Sequence, residues 1–345
     1  MIDPHVHLRD WAQKEKETVA HGLKVAKMAG IERVFDMPNT NPPLVERETI
    51  LDRLALGTGE ARKLKMSYSV YAGLTKDPEQ IKAMVLLHSE LFPLVVALKM
   101  FLSHSTGNMG IVDYEEQRNV IRTLSEADYK GVLAVHAEKE SLNNMKLEDP
   151  DDYSSHSSAR PRESEIESVR DIIRLVKEEK FPGHLHICHI STKDAVLEVM
   201  KAKEEGLSIS MGATPHHALL TLDDARDGKR GLKMNPPLRS EEDRAFIYES
   251  LKNGTIDNVE SDHAPHTLED KEKGASGIPC FSGMLLLYHK LKEDGVDKER
   301  LLDLFGRNVI KTYGLKDEDV RLPDDSEKLF TRLSESYPIR PFEWI

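Results

Sequence analysis

The sequence predicts an α/β protein folded as a single (β/α)₈ barrel of the TIM type. Two observations carry this. Eight short strand-like segments alternate with helical patterns along most of the chain, and the residues with chemical potential fall at or near the ends of those segments. In such barrels the active site forms at the C-terminal ends of the strands, so residues scattered through the sequence converge there.

The strand segments are 2–7, 33–37, 66–72, 94–101, 132–136, 185–190, 208–211 and 258–261. Parallel pairing needs a crossover after each one, and helical patterns supply it. Residues 14–28 carry apolar or small residues at helical spacing and stop at Gly30. Residues 163–180 place Ile166, Val169, Ile172, Ile173 and Val176 on one stripe of a charged helix. Residues 195–203 and 241–251 repeat the pattern. Two stretches read as excursions from the barrel: 102–110, and the polar, acidic 140–162, which shows no periodicity. Both follow strands on the expected active-site face, where a loop can cover substrate. The tail from about 320 to 345 reads as irregular, and the whole of 1–345 reads as one domain.

Composition bounds the function. The chain has 345 residues, 39% hydrophobic and 31% charged, as expected of a water-soluble globular protein with ample core. No apolar run is long enough to span a bilayer, and no basic-then-apolar leader opens the chain. The formal charge of −12 disfavours nucleic acid and anionic membrane as partners. Cys188 and Cys280 are the two cysteines, which offers no disulfide framework and fits the reducing cytoplasm.

The first strand holds His5 and His7, two imidazoles that on alternating geometry share a face with Arg9. Such a pair grips one side of a metal ion, and the guanidinium suits an anionic ligand. The plainer reading is a pair of surface or core histidines. The far end of the chain favours the metal: Ser261-Asp262-His263-Ala264-Pro265-His266 places a carboxylate among histidines. Asp262 has helix capping as its plainer role and proton transfer as its chemical one. Lys99 stands in the apolar run Ala97-Leu98-Lys99-Met100-Phe101. It is either a snorkelling lysine or an amine that, neutral and out of water, adds carbon dioxide to become a carbamate able to bridge two cations. His136 and His189 lie at two further strand ends. Cys188, by alternation, points away from His189 and reads as packing. Asn39 and Asn235 sit in proline-rich turns, as turn formers or as hydrogen-bonding groups for a ligand.

The segments His5-Val6-His7-Leu8-Arg9, Met37-Pro38-Asn39, Lys99, Val135-His136-Ala137-Glu138, Cys188-His189-Ile190-Ser191-Thr192, Asn235-Pro236-Pro237-Leu238-Arg239 and Ser261-Asp262-His263-Ala264-Pro265-His266-Thr267 occur in the order seen in dihydroorotases, which the chain resembles from residue 2 to about 315. These are cyclic amidohydrolases of pyrimidine biosynthesis. The resemblance implies reversible conversion of dihydroorotate to N-carbamoyl-aspartate at two divalent metal ions, usually zinc. His5, His7 and Asp262 would hold one ion and His136 and His189 the other, with carboxylated Lys99 and a hydroxide between them. Asp262 would be the general acid and base. Arg9, Asn39 and His266 would receive the substrate carboxylate, Asn235 the ring, and the backbone near Gly277 would touch substrate. The partner is thus a small acidic molecule, with a homo-oligomer or another enzyme of the same pathway as macromolecular candidates. The runner-up is a hydantoinase or allantoinase, which has no use for Arg9 and His266. A non-catalytic scaffold relative would be expected to lack ligands that this chain keeps. Many dihydroorotases carry a β-sandwich segment before the first strand and Pro-Gly after the arginine. Here the chain opens on the strand and has Asp10-Trp11, so the sandwich is expected to be reduced or absent.

Overall fold

The computed structural model describes residues 1–104, 109–226, 231–316, 319–323 and 327–343. In chain order the elements begin β1 (Ile2–Val6), α1 (Val19–Met28), β2 (Arg33–Asp36), α2 (Arg47–Lys63), β3 (Ser67–Gly73), α3 (Pro78–Leu91), β4 (Val95–Phe101), α4 (Tyr114–Glu126) and β5 (Val132–His136). There follow α5 (Ser155–Ala159), α6 (Arg162–Glu178), β6 (His184–Ile187), α7 (Lys193–Glu204), β7 (Ile209–Ala213), α8 (Pro215–Leu219), α9 (Glu241–Asn253) and β8 (Asn258–Val259). The last are α10 (Leu268–Glu272), α11 (Phe281–Glu293), α12 (Lys298–Leu302), α13 (Asn308–Tyr313) and α14 (Glu327–Ser334).

The eight strands pair in parallel in the order β1 to β8, the barrel that the alternation predicts. Residues just beyond β8 close it onto β1: Val6 bridges His263, His7 N donates to His263 O (2.7 Å), and Ser261 N donates to Asp3 Oδ1 (3.0 Å). The outward faces of the strands, with Val34, Val70, Leu98, Leu133 and Ile187, bury against the helical ring in one large core. Inside the barrel, a floor of Phe35, Tyr71, Val96, Val132 and Tyr313 fills one end. Tyr71 Oη meets Tyr313 Oη (2.7 Å) and donates to Pro4 O (2.8 Å), so the phenols there are satisfied rather than stranded. Above this floor the lumen turns polar, with Lys99, His186, Glu260 and His5, all essentially inaccessible to water.

Several expectations need correcting. The first helix starts at Val19, not residue 14, because Thr18 caps it through Oγ1, which accepts from His21 N. Strand β1 stops at Val6, so Arg9 lies on the following loop and not on a strand face. The tail is not wholly irregular. It contains α14, and Tyr337, Ile339 and Phe342 are buried, with Phe342 packed against Gly283 of α11. Of that tail, residues 324–326 and 344–345 lie outside the described residues, as do 105–108 of the 102–110 loop. The stretch 140–162 holds two single-turn 3₁₀ segments and α5. Its elements are too short for a periodicity to show.

Arg53 of α2 ties this framework to the loop bearing Arg9. It is fully buried and donates through Nε and Nη2 to Asp36 Oδ2 (2.9 and 2.7 Å), through Nη1 to Arg9 O (2.7 Å), and through Nη2 to Leu8 O. Replacing Arg53 by Met takes the cation from the buried Asp36 carboxylate and leaves it the Leu8 N–H and the Tyr68 hydroxyl. The expected loss is about 3–5 kcal/mol of stability, read from the urea midpoint. An unchanged midpoint would show that Asp36 is neutral or finds water.

Candidate metal centre and substrate pocket

His5 at the end of β1, His7 just beyond it and Asp262 after β8 bring three donor atoms together. His5 Nε2 lies 3.3 Å from His7 Nε2, and Asp262 Oδ1 lies 3.4 Å from the first and 3.0 Å from the second. Ligands about 2.0–2.1 Å from a tetrahedral zinc are about 3.3 Å apart, so the three atoms stand at ligand spacing around a common point. Asn39 Oδ1 accepts from His7 Nδ1 (2.6 Å), which leaves Nε2 with a lone pair facing a carboxylate oxygen. Lone pairs so arranged repel unless a cation sits between them.

A second pair stands beside the first. His136 Nδ1, at the end of β5, lies 3.1 Å from His189 Nε2, and the His5 and His189 ring centroids are 5.1 Å apart. His136 Nε2 donates to Glu138 Oε2 (2.7 Å), so its Nδ1 is again a lone pair aimed at another imidazole nitrogen. Lys99, fully buried near the end of β4, places its charge close enough to act on His5, His136 and His189 together. The donor chemistry therefore fits two cations with a group from Lys99 near both. Lys99 Nζ donates to Cys188 Sγ (3.0 Å), which corrects the expectation for Cys188: it is buried, but it faces the lumen beside Lys99. Alternation fails here because His189 adopts φ +37°, and Asp262 likewise adopts φ +49°. Both are left-handed conformations, held at a cost on the order of 1 kcal/mol each, that re-aim candidate ligands.

Behind the donors stand residues to which the sequence gave no role. Glu260 accepts from the backbone N–H of His189, contacts His186 Nε2 (3.1 Å) and lies 3.6 Å from His5 Nδ1. Glu138 takes His136 on Oε2 and the Arg160 guanidinium on both oxygens (2.9 and 2.6 Å). Glu138 stands inside a quoted motif and Glu260 two residues before Asp262, so their positions were visible but their direction was not. Arg160 comes from the 140–162 stretch and carried no signal. Burial, the largest cause, pushes His5 down to about 4 and lowers His136 and His189 as well, which favours the neutral ligand form.

These donors open into a cavity of about 300 Å³ lined also by Arg9, Asn39, Asn235, His266, Gly277, Phe101 and His104. A larger surface hollow of about 550 Å³, at the opposite end of the barrel around Tyr129 and His184, holds none of the candidate residues. Arg9 is buried, donates from Nε to Pro265 O (3.1 Å) and sets Nη2 3.1 Å from His266 Nε2. Among the described residues no carboxylate lies within ion-pair distance of it. Burial and the Arg9 charge drive His266 down to about 2, so it is a neutral imidazole. Asp262 caps no helix, since the next one starts from Thr267. His263 turns away from the cavity, stacked on Phe281 and bonded toward Glu17. Gly277 lines the cavity at φ +131°, where an added Cβ would lie 2.7 Å from Ala264 O. Its N–H donates to Lys233 O and its carbonyl accepts one bond, from Lys271 Nζ.

Two outcomes follow. Without metal, the buried imidazoles of His5, His136 and His189 are neutral in the fold but protonate in the unfolded chain near 6.5. The unfolded chain then binds more protons, so the metal-free protein should lose stability as pH falls from 6.5 toward 4; urea midpoints at pH 7 and pH 5 test this. Equal midpoints would mean that the histidines are not buried as described. Glu138→Gln should weaken metal binding about 10- to 100-fold in competition with a chelating dye, because the partner that orients His136 is lost.

No family model matches the chain. Among curated proteins it is 40% identical to the dihydroorotase of Pyrococcus horikoshii over 284 residues, 81% of this chain but 57% of that protein. It is 37% identical to the dihydroorotase of Pyrococcus abyssi over the whole of this chain and 75% of that protein. Among solved structures, an L-hydantoinase from Arthrobacter aurescens superposes with TM-score 0.80 at 24% identity, over 93% of this chain and 72% of that one. A dihydroorotase from Campylobacter jejuni gives 0.68 at 20% identity, over 92% and 84%. The structural likenesses establish the fold, and the sequence relatives select among the activities built on it. The chain belongs to the dihydroorotase family, metal-dependent hydrolases of cyclic amides.

Proposed function

We propose that this chain interconverts (S)-dihydroorotate and N-carbamoyl-L-aspartate, and that a buried, ion-pair-free Arg9 beside the metal-type donors selects that substrate. This one observation carries the reading. A guanidinium out of water with no carboxylate partner is a site waiting for one, and a forked pair of hydrogen bonds to a carboxylate suits it. A hydantoin or allantoin ring brings no carboxylate, which disfavours the runner-up activity.

His5, His7 and Asp262 would hold one zinc ion, His136 and His189 the other, and Lys99 would join them as a carbamate. The amine adds carbon dioxide and releases a proton to give –NH–COO⁻. When bound, the two ions supply an acidified water and polarise the ring carbonyl. The residues do the rest. Arg9, with His266 at its side, fixes the substrate carboxylate, and Asn235 meets the ring. Asn39 supports the site through His7 and lines the same wall. Asp262, which lines the cavity beside His5 and His7, accepts the proton of the attacking water and returns it to the ring nitrogen as the amide opens. Ring closure runs these steps backwards. Among the described residues no helix is long and apolar enough to cross a membrane. With both cysteines free, we place the enzyme in the cytoplasm and read residues 1–345 as one catalytic unit.

Arg9→Gln should lower kcat/KM for dihydroorotate by about 30-fold to several thousand-fold, the equivalent of about 2–5 kcal/mol, while metal content stays unchanged. Dihydrouracil, which lacks the carboxylate, should be a poor substrate of the unmodified protein. If it turns over as fast as dihydroorotate, the hydantoinase reading replaces this one. Lys99→Ala should come away from purification with reduced metal measured by elemental analysis. Full metal occupancy in that variant would reduce Lys99 to a packing residue.

A further inference from the structure

The stretch 140–162 does not lie over the pocket as a detached cover. It is tied into two of the pocket's walls. From α5, the buried His156 sets Nε2 2.7 Å from Asn235 Oδ1. On its other side, His156 Nδ1 lies 3.6 Å from Glu148 Oε2, and Glu148 also takes the Lys233 ammonium. Tyr153 Oη donates to Lys271 O (2.8 Å). The buried Lys271 Nζ donates in turn to the carbonyls of Lys233, Ala275 and Gly277, each at 2.9 Å. Three separate stretches, around 148–156, 231–235 and 271–277, are thus braced into one unit.

Asn235 is the pocket residue whose meaning depends on this brace. A carboxamide has a donor end and an acceptor end, and rotation by half a turn exchanges them. An oxygen can only accept, so the short contact uses the Nε2–H of His156 as donor and occupies Oδ1. What remains for the cavity is the NH₂ group.

We infer that His156 is a positioning residue that fixes the Asn235 carboxamide with its NH₂ toward the cavity, so that this wall recognises a hydrogen-bond acceptor, such as a ring carbonyl, on the ligand. The inference rests on the proposal that the substrate ring lies against Asn235. It makes no use of the metal ligands, which lie on other elements.

The experiment is a double-mutant cycle on the metal-loaded protein with dihydroorotate as substrate, using His156→Phe, Asn235→Ala and the pair together. His156→Phe should raise KM about tenfold, with kcat changed less than about threefold and full metal content. Asn235→Ala should do the same, and the pair should be no worse than Asn235→Ala alone. His156→Gln, whose amide N–H reaches the same carbonyl, should recover most of the loss, and it also guards against a misfolded phenylalanine variant. Effects that simply add in the pair, or an unchanged KM in both His156 variants while Asn235→Ala raises it, overturn the role of His156. An unchanged KM in Asn235→Ala overturns the ring contact itself, and the inference with it.

Discussion

The site exists because the barrel closes where it does. His7 and Asp262 are 255 residues apart in sequence and 3.0 Å apart in space, and the contact depends on a seam only a few bonds wide. Strand β8 is two residues long, so regular pairing does not hold that seam. Individual groups do: His7 N on His263 O, Ser261 N on the buried Asp3 carboxylate, and Ser261 Oγ on His5 O (3.2 Å). Each of these bonds involves a candidate ligand or its immediate neighbour. The closure of the fold and the assembly of the donor set are therefore the same event.

A cluster of acceptors inside a barrel would be intolerable without countercharge, and the surroundings are arranged in alternation. Imidazoles at the centre are backed by Glu260 and Glu138, and Glu138 is neutralised by Arg160, which donates also to Ser103 Oγ (3.2 Å). Glu138 steers one nitrogen of His136 outward and leaves the other for the centre, the usual way that a second layer fixes a ligand's tautomer, while Glu260 holds the His189 backbone N–H and the His186 ring. The aromatic floor formed by Phe35, Tyr71 and Tyr313 keeps the opposite end of the lumen packed. Access to the donors runs instead through the cavity at the strand ends.

Much of this was legible beforehand, for reasons that also explain what was not. Strand positions were readable because a parallel barrel buries its strands on both faces, which leaves compact apolar runs such as Val95–Phe101. The candidate ligands were readable because donors at strand ends repeat the same local grammar. What alternation could not give was direction beyond the strand: His189 and Asp262 are left-handed, so Cys188 faces the lumen that counting assigned to His189's side alone. Glu260, Arg160 and His156 act through contacts 71, 22 and 79 residues away along the chain, and no local pattern encodes such pairings. The tail misled for a different reason. Tyr337 donates to Glu17 Oε1 (2.5 Å) on the far side of the sequence, and irregular local composition hides such docking.

The Asp10-Trp11 pair after Arg9 shows how a strained turn is held. Asp10 and Trp11 adopt φ +80° and +51°, left-handed values that a glycine at position 11 would take with less strain and that a proline at position 10, its φ fixed near about −65°, could not take at all. Asp10 compensates with its own carboxylate: Oδ1 accepts from Trp11 N (2.8 Å) and Oδ2 from Val19 N (2.9 Å), which pins the turn to the start of α1. Trp11 lies with its ring 5.1 Å from the Arg53 guanidinium, the same group that holds the carbonyls of Leu8 and Arg9. The turn residues thus add a face to the cation that already anchors Arg9's backbone. The backbone that carries Arg9, the guanidinium proposed to receive the substrate carboxylate, is braced by Arg53 and by the Asp10-Trp11 turn.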